Sequence, residues 1–301
     1  MFDVLALYAI NSLEITFGKA ALEIVQPLFL VGARMTIGGL LLLLYVYFFK
    51  RSHFKINLKD WSLFLQVIIF AVYIGFVFDF WGMKHMTSSK NALIFTMSPF
   101  ITAIIAYFMH IETFTWKKTI GLIIGFCGAL PVLINNKTQE AEYINQGWFI
   151  LPELASLCAV AAIAYGWIML GKLNRERGYI SHMINGVTMF AGGLLALCTS
   201  FFVDTWHPAP FTAFWPFVGY TAMLILVSNI IVYNWYVTLL QKYSATFISF
   251  VSFTQPLYVS LYSWIWLGET VTWNFFASVF VVIIGLFVFY QEELHKKCII
   301  E

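Results

Sequence analysis

IETFTW at residues 111–116 returns as GETVTW at residues 268–273. Glutamate, two threonines and tryptophan each recur at a spacing of 157 residues, from Glu112 to Glu269 and from Trp116 to Trp273. Outward from these motifs the same spacing joins Pro99 to Pro256 and Gly128 to Gly285. Closer to the N-terminus, Gly38-Gly39-Leu40-Leu41 answers Gly192-Gly193-Leu194-Leu195 at a spacing of 154, and Gly18-Lys19 answers Gly171-Lys172 at 153. Any single pair could arise by chance, but a set at one fixed offset marks a duplicated chain.

Composition says what was duplicated. Of 301 residues, 61% are hydrophobic and 11% charged, the net charge is +2 and the mean hydropathy is +0.82. A soluble domain carries about 25% charged residues, so a water-facing globule, a disordered chain and a disulfide scaffold are excluded. The apolar runs recur from end to end at the length a membrane helix needs, about 20 residues. Polar breaks divide the chain into ten spans at roughly 4–22, 28–49, 62–83, 89–109, 117–134, 148–170, 181–203, 214–237, 244–267 and 273–291. The reading is an all-α polytopic membrane protein. Residues 1–134 form a first five-helix repeat, 135–147 a polar linker, 148–291 a second five-helix repeat and 292–301 a tail.

Five is an odd number, so the second repeat enters the bilayer from the side opposite to the first. Inverted repeats of this kind build many secondary transporters, with the substrate site between the halves near the midplane. Charge sets the orientation. Twelve Lys and Arg residues, among them Lys50–Lys59 and Lys172–Arg177, fall on the side shared by both termini, against four (Lys19, Lys84, Lys90, Lys137) toward the other. The positive-inside rule makes that side, and both termini, cytoplasmic.

The duplicated motifs are those of a known family. A fourth span running from Asn91 to Pro99, the Glu112-Thr113 turn and the glycines Gly121, Gly125 and Gly128 are matched by Ser249 to Pro256, Glu269-Thr270 and Gly285. In this the chain resembles the ten-helix EamA-type branch of the drug/metabolite transporter superfamily, over residues 4–291. Val282, standing where the first half has Gly125, and Glu14 in the first span depart from the pattern. The resemblance implies a bacterial inner-membrane carrier for small metabolites. It also implies a central cavity lined by helices one, three, four, six, eight and nine, with helices five and ten peripheral.

Ionisable side chains inside spans are costly and therefore mark candidate sites. Glu14, in the middle of span one, could bind a substrate cation or carry a proton; its alternative is a structural pair with Lys19 or another basic group. Asp79 lies late in span three and Glu153 early in span six. Arg34 is long enough to reach the interface from span two. Among neutral polar residues, Asn11, Asn91, Asn229 and Gln255 can each donate and accept hydrogen bonds. Tyr8, Trp81, Tyr165, Trp167, Trp235, Tyr258 and Tyr262 lie mid-span and could contribute to an aromatic cage for a cationic or ring-bearing substrate. Pro99 and Pro256, at matched positions, are candidate hinges.

The six histidines and four cysteines show no metal-ligand spacing, and no nucleophile elbow or phosphate loop occurs, so catalysis, cofactors and metals are not expected. Nor is nucleic-acid binding. The expected function is a monomeric secondary carrier in the lipid bilayer, with protons as a possible coupling ion. The three intramembrane acids point to an amino acid or a cationic amino-acid derivative such as S-adenosylmethionine. An efflux carrier for lipophilic cations or hydrophobic amino acids, and a channel, are the alternatives.

Overall fold

The computed structural model describes residues 2–85, 91, 94–112, 115–134, 151–206, 209–267, 276–277 and 279–289. The polar linker 135–147, the tail 292–301, Lys90 and the Glu269-Thr270 turn lie outside the described residues. Within them the chain forms ten helices, a short 3-10 turn at Arg51–His53 and no sheet. The first half supplies α1 (Phe2–Leu22), α2 (Pro27–Phe49), α3 (Leu58–His85), α4 (Ser98–Phe108) and α5 (Trp116–Ile134). The second supplies α6 (Leu151–Arg175), α7 (Ser181–Val203) and α8 (Phe214–Leu239). It also supplies α9 and α10 (Val279–Phe289). Helix α9 runs Ala245–Val251, tightens to a 3-10 turn at Ser252–Thr254 and continues as Gln255–Leu267. Helices α2, α3, α6, α7 and α8 are each long and apolar enough to cross a membrane.

Local chemistry sets the helix ends. Pro27 opens α2, where a missing N–H costs nothing. Ser244 caps α9 by accepting the Phe247 N–H at 3.1 Å. Helix α6 ends at Arg175, and the turn that follows closes at Gly178, whose φ of 70° lies in the left-handed region open to glycine.

The packing carries the duplication into three dimensions. Helices α2 and α7 approach through their glycines. A Cβ on Gly39 would lie 2.4 Å from the Phe190 backbone nitrogen, and one on Gly193 would lie 2.5 Å from that of Thr36. These two contacts exchange under the 154-residue offset, as do Gly32 against Leu197 and Gly186 against Leu43. Such reciprocal pairing requires the two helices to cross a pseudo-two-fold axis in opposite directions. Helices α5 and α10 repeat the arrangement, with Gly128 against Val282 and Gly285 against Gly125. Val282 is tolerated in place of glycine because it faces Gly128, which has no side chain.

A second shared feature is a stretch of wide π-helical turns, Val67–Gly75 in α3 and Ile225–Val232 in α8. These lie at corresponding places in the two halves. Val72 packs on Gly192 and its counterpart Asn229 on Gly38, again as a reciprocal pair.

The loops fall at two ends. At one end Arg177 pairs with Asp60 at 3.2 Å and the Tyr179 hydroxyl donates to Asp60 at 2.9 Å. This places the basic segments 50–59 and 172–177 side by side. At the other end the α1–α2 turn is bound to the α7–α8 segment by backbone bonds from Gln26 N–H to Pro210 O (2.9 Å) and Thr212 N–H to Ile24 O (2.8 Å).

Candidate functional site

Between these ends lies a cavity of about 210 Å³ lined by residues of α1, α3, α8, α9 and α6, together with Asn91, Phe95, Thr96, Ser98 and Thr102 of the α4 region. These are the six helices that the family resemblance implies. The wall combines apolar and aromatic surface with a few convergent polar groups, the usual character of a small-molecule site.

One side is built on a buried ion pair. Glu14 faces the cavity from α1, and its Oε1 accepts from Arg34 Nη1 at 2.7 Å and from the Tyr233 hydroxyl at 2.5 Å. Arg34 is fully buried, and its guanidinium lies 4.3 Å from the centre of the Phe80 ring and 5.3 Å from that of Phe76. Each ring contributes a cation–π attraction of about 0.5–2 kcal/mol. Arg34 Nε and Nη2 have no hydrogen-bond partner among the described residues. Phe76 and Tyr233, which correspond under the 157-residue offset, stack on each other at 5.3 Å.

From α3, Asp79 Oδ1 accepts from the amide of Asn91 at 3.3 Å, and Asn91 Oδ1 accepts from the Ser156 hydroxyl at 3.1 Å. This chain links α3 to α6 through the start of the α4 region and fixes which way the Asn91 amide points. A third feature is aromatic. Trp167 stacks on Tyr236 with ring centroids 3.9 Å apart and meets Tyr233 edge-on at 5.9 Å.

The candidates named from the sequence divide by helix face. Tyr8, Asn11, Glu14, Asp79, Asn91, Trp167, Gln255 and Pro256 line the cavity. Asn11 Oδ1 is buried there without a partner among the described residues. Trp81, Glu153, Tyr165, Asn229, Trp235, Tyr258, Tyr262 and Pro99 lie outside the lining. Trp81 packs on His85 at 4.6 Å. The Tyr165 hydroxyl donates to Gln66 and that of Tyr262 to Ala9 O. Asn229 donates to Arg34 O at 3.4 Å from the packed face of α8. Pro99 sits in the first turn of α4.

Lys19, the partner for Glu14 that proximity along α1 suggests, instead donates to Met83 O at 2.8 Å. Arg34, for which a functional role and a reach to the interface are equal readings of the sequence, is turned inward by Glu14. Its signal was an arginine inside an apolar span, the same signal that singled out Glu14. Tyr233, Tyr236, Ser249 and Ser252 also line the cavity; nothing in so aromatic a sequence set the two tyrosines apart, whereas the serines belong to the duplicated stretch Ser249–Pro256.

The EamA-like transporter family matches residues 3–134 and 151–291. An S-adenosylmethionine/S-adenosylhomocysteine transporter of Chlamydia muridarum is 31% identical over 287 residues, covering 95% of this chain and 89% of its own. One of the same description from Chlamydia trachomatis is 31% identical over 288 residues, covering 95% and 87%. A solved crystal structure superposes with a TM-score of 0.75 at 13% identity, covering 98% of this chain and 96% of the other, which shows a shared fold. The match to both halves, joined to the reciprocal helix packing, identifies an integral membrane transporter rather than an enzyme: the chain belongs to the EamA-like transporter family.

Proposed function

We propose that this chain is a secondary carrier that exchanges S-adenosylmethionine, or a closely similar cationic amino-acid derivative, across a bacterial inner membrane by alternating access. The observation that carries the reading is the cavity wall. It carries two carboxylates, Glu14 and Asp79, with the guanidinium of Arg34 buried behind it against Glu14, beside the stacked pair Trp167–Tyr236. With both acids ionised, the wall has one negative charge in excess, and the stacked rings offer a face to a planar base. A ligand that joins a sulfonium to an adenine ring matches both features. The names of the Chlamydia relatives support the same substrate class.

The inverted halves supply the means of alternation. Two repeats related by a pseudo-two-fold axis can exchange conformations, converting a cavity open to one side into one open to the other. Pro256 lies in the cavity wall, where a proline leaves the carbonyl one turn earlier without its helical donor and lets α9 bend. The excess of basic residues around Lys50–Lys59 and Lys172–Arg177 supports cytoplasmic termini. All six lining helices come from one chain, which supports a monomer as the transport unit.

The test is a thermal-shift screen of the purified protein. S-adenosylmethionine and S-adenosylhomocysteine are expected to raise the melting temperature, with methionine and adenosine weaker. A response to leucine or tetraphenylphosphonium, with both adenosyl compounds silent, would replace this substrate with a hydrophobic amino acid or a lipophilic cation.

A further inference from the structure

We propose that the two cavity carboxylates divide their work. Glu14 is the fixed charge of a structural pair, and Asp79 is the exchangeable carboxylate that takes the substrate's positive charge or, in its place, a proton. The inference rests on the substrate class proposed above.

The hydrogen bonds separate the two acids. Glu14 Oε1 is held by a charged and a neutral donor at 2.7 and 2.5 Å, and its guanidinium partner is wholly buried between two rings. Giving that carboxylate a proton would strand the arginine. Asp79 receives one neutral amide at 3.3 Å, and among the described residues it has no basic partner. Its second oxygen receives no hydrogen bond among the described residues.

The groups around Asp79 leave it in this role. From α1 come Glu14 and Tyr8, and from α8 Tyr233 and Tyr236, none of them basic. Arg34 of α2 is engaged by Glu14. Asn91, Ser156 of α6 and Gln255 of α9 are neutral. Lys19 and Lys84, toward the loop end, donate to Met83 O and Gln26 Oε1.

The consequence is a charge balance. S-adenosylmethionine carries sulfonium and ammonium charges against one carboxylate, a net charge of +1. The demethylated thioether has lost the sulfonium and is neutral overall. When the sulfonium compound enters, the Asp79 carboxyl O–H bond breaks and the proton leaves to water. When the thioether occupies the cavity, the carboxylate takes a proton back. One cycle then moves a cation one way and a neutral molecule plus a proton the other way, with no net charge crossing.

The experiment uses purified wild-type protein in unbuffered medium with a pH indicator, between pH 5.5 and 8. Adding S-adenosylmethionine is expected to release up to about one proton per molecule bound, and S-adenosylhomocysteine none. Binding of the sulfonium compound should weaken by up to about tenfold per pH unit toward acid. Asp79→Asn should abolish the proton release and the pH dependence and lower affinity for S-adenosylmethionine by at least about tenfold. Its affinity for S-adenosylhomocysteine should change by less than about threefold. Measurable S-adenosylmethionine binding by the wild type with no proton release at any pH overturns the division of labour and needs no variant. Proton release that persists in a folded Asp79→Asn protein overturns it as well. Absence of S-adenosylmethionine binding to the wild type overturns the substrate reading beneath it.

Discussion

Arg34→Met isolates the physics of the buried ion pair. The substitution keeps the apolar stem between Phe76 and Phe80 but removes the charge opposite Glu14. Breaking one side of a buried pair costs about 3–5 kcal/mol, because the remaining charge is left desolvated. Two facts place this case at the lower end. The Glu14 side chain keeps 13% exposure and so retains some solvation. Arg34 Nε and Nη2 are unpartnered among the described residues, and methionine removes their desolvation cost along with the charge. A loss of about 3 kcal/mol is expected. At about 2–3 °C per kcal/mol for a large domain, the melting temperature should fall by about 6–9 °C. Glu14→Gln combined with Arg34→Met removes both charges while leaving a side-chain oxygen to accept from Tyr233, and it should recover at least about half of that loss. The assay is thermal unfolding of the four proteins of this double-mutant cycle in one detergent. Arg34→Met melting within about 1 °C of wild type, or a double variant no more stable than either single one, would refute the reasoning.

Gly39→Val should drive α2 from α7, since even a Cβ there would lie 2.4 Å from a backbone nitrogen; a loss of about 1–3 kcal/mol is expected. Gly219→Ala, inside α8 with nothing within 4 Å of the added Cβ, should not lower the melting temperature and should stabilise by up to about 1 kcal/mol. Trp167→Ala removes the ring stacked on Tyr236 and should weaken binding of an adenosyl ligand by about tenfold, read by displacement of the labelled compound. Asp204, at the loop end of α7, has its carboxyl raised above the ordinary value of 3.8, chiefly by burial. A folded value above the unfolded one means that its contribution to stability is fullest below the unfolded value and declines as pH rises through the folded one. Asp204→Asn should therefore melt higher than wild type at pH 7, with the difference shrinking as the pH falls; a difference that grows toward acid would contradict the assignment.

The fold was largely legible because topology is written in long-range periodicities. The repeats at 157 and 154 residues and the spacing of polar breaks survive whatever the side chains do in detail. The reciprocal register of α2 and α7 was not legible, since it depends on where the pseudo-two-fold axis passes. The glycine pairs mark close packing but do not name the partner helix. The π-helical turns were hidden because Val67–Gly75 and Ile225–Val232 read as ordinary apolar helix.

At the site, charged residues were visible by their rarity, but their pairing was not. Glu14 and Arg34 lie on different helices, and only folding shows that they meet. Lys19, closer in sequence and on the same helix, was the one candidate partner that could be named, yet it reaches the Met83 carbonyl. Aromatics were least legible. Tyr165 and Trp167 lie two residues apart on α6, so they point to different faces of the helix. Trp167 reaches the cavity, whereas Tyr165 packs edge-on against Phe70 at 5.1 Å. Where 19% of the chain is aromatic, composition alone cannot select between them.

The most direct measurement is counterflow in proteoliposomes. Vesicles holding the purified protein are preloaded with unlabelled S-adenosylmethionine or S-adenosylhomocysteine, diluted, and given labelled S-adenosylmethionine outside. An alternating-access exchanger accumulates label transiently above its equilibrium level, because loaded sites return faster than empty ones. Label that only equilibrates, at a rate indifferent to what the vesicles contain, would describe an open pore and contradict the account.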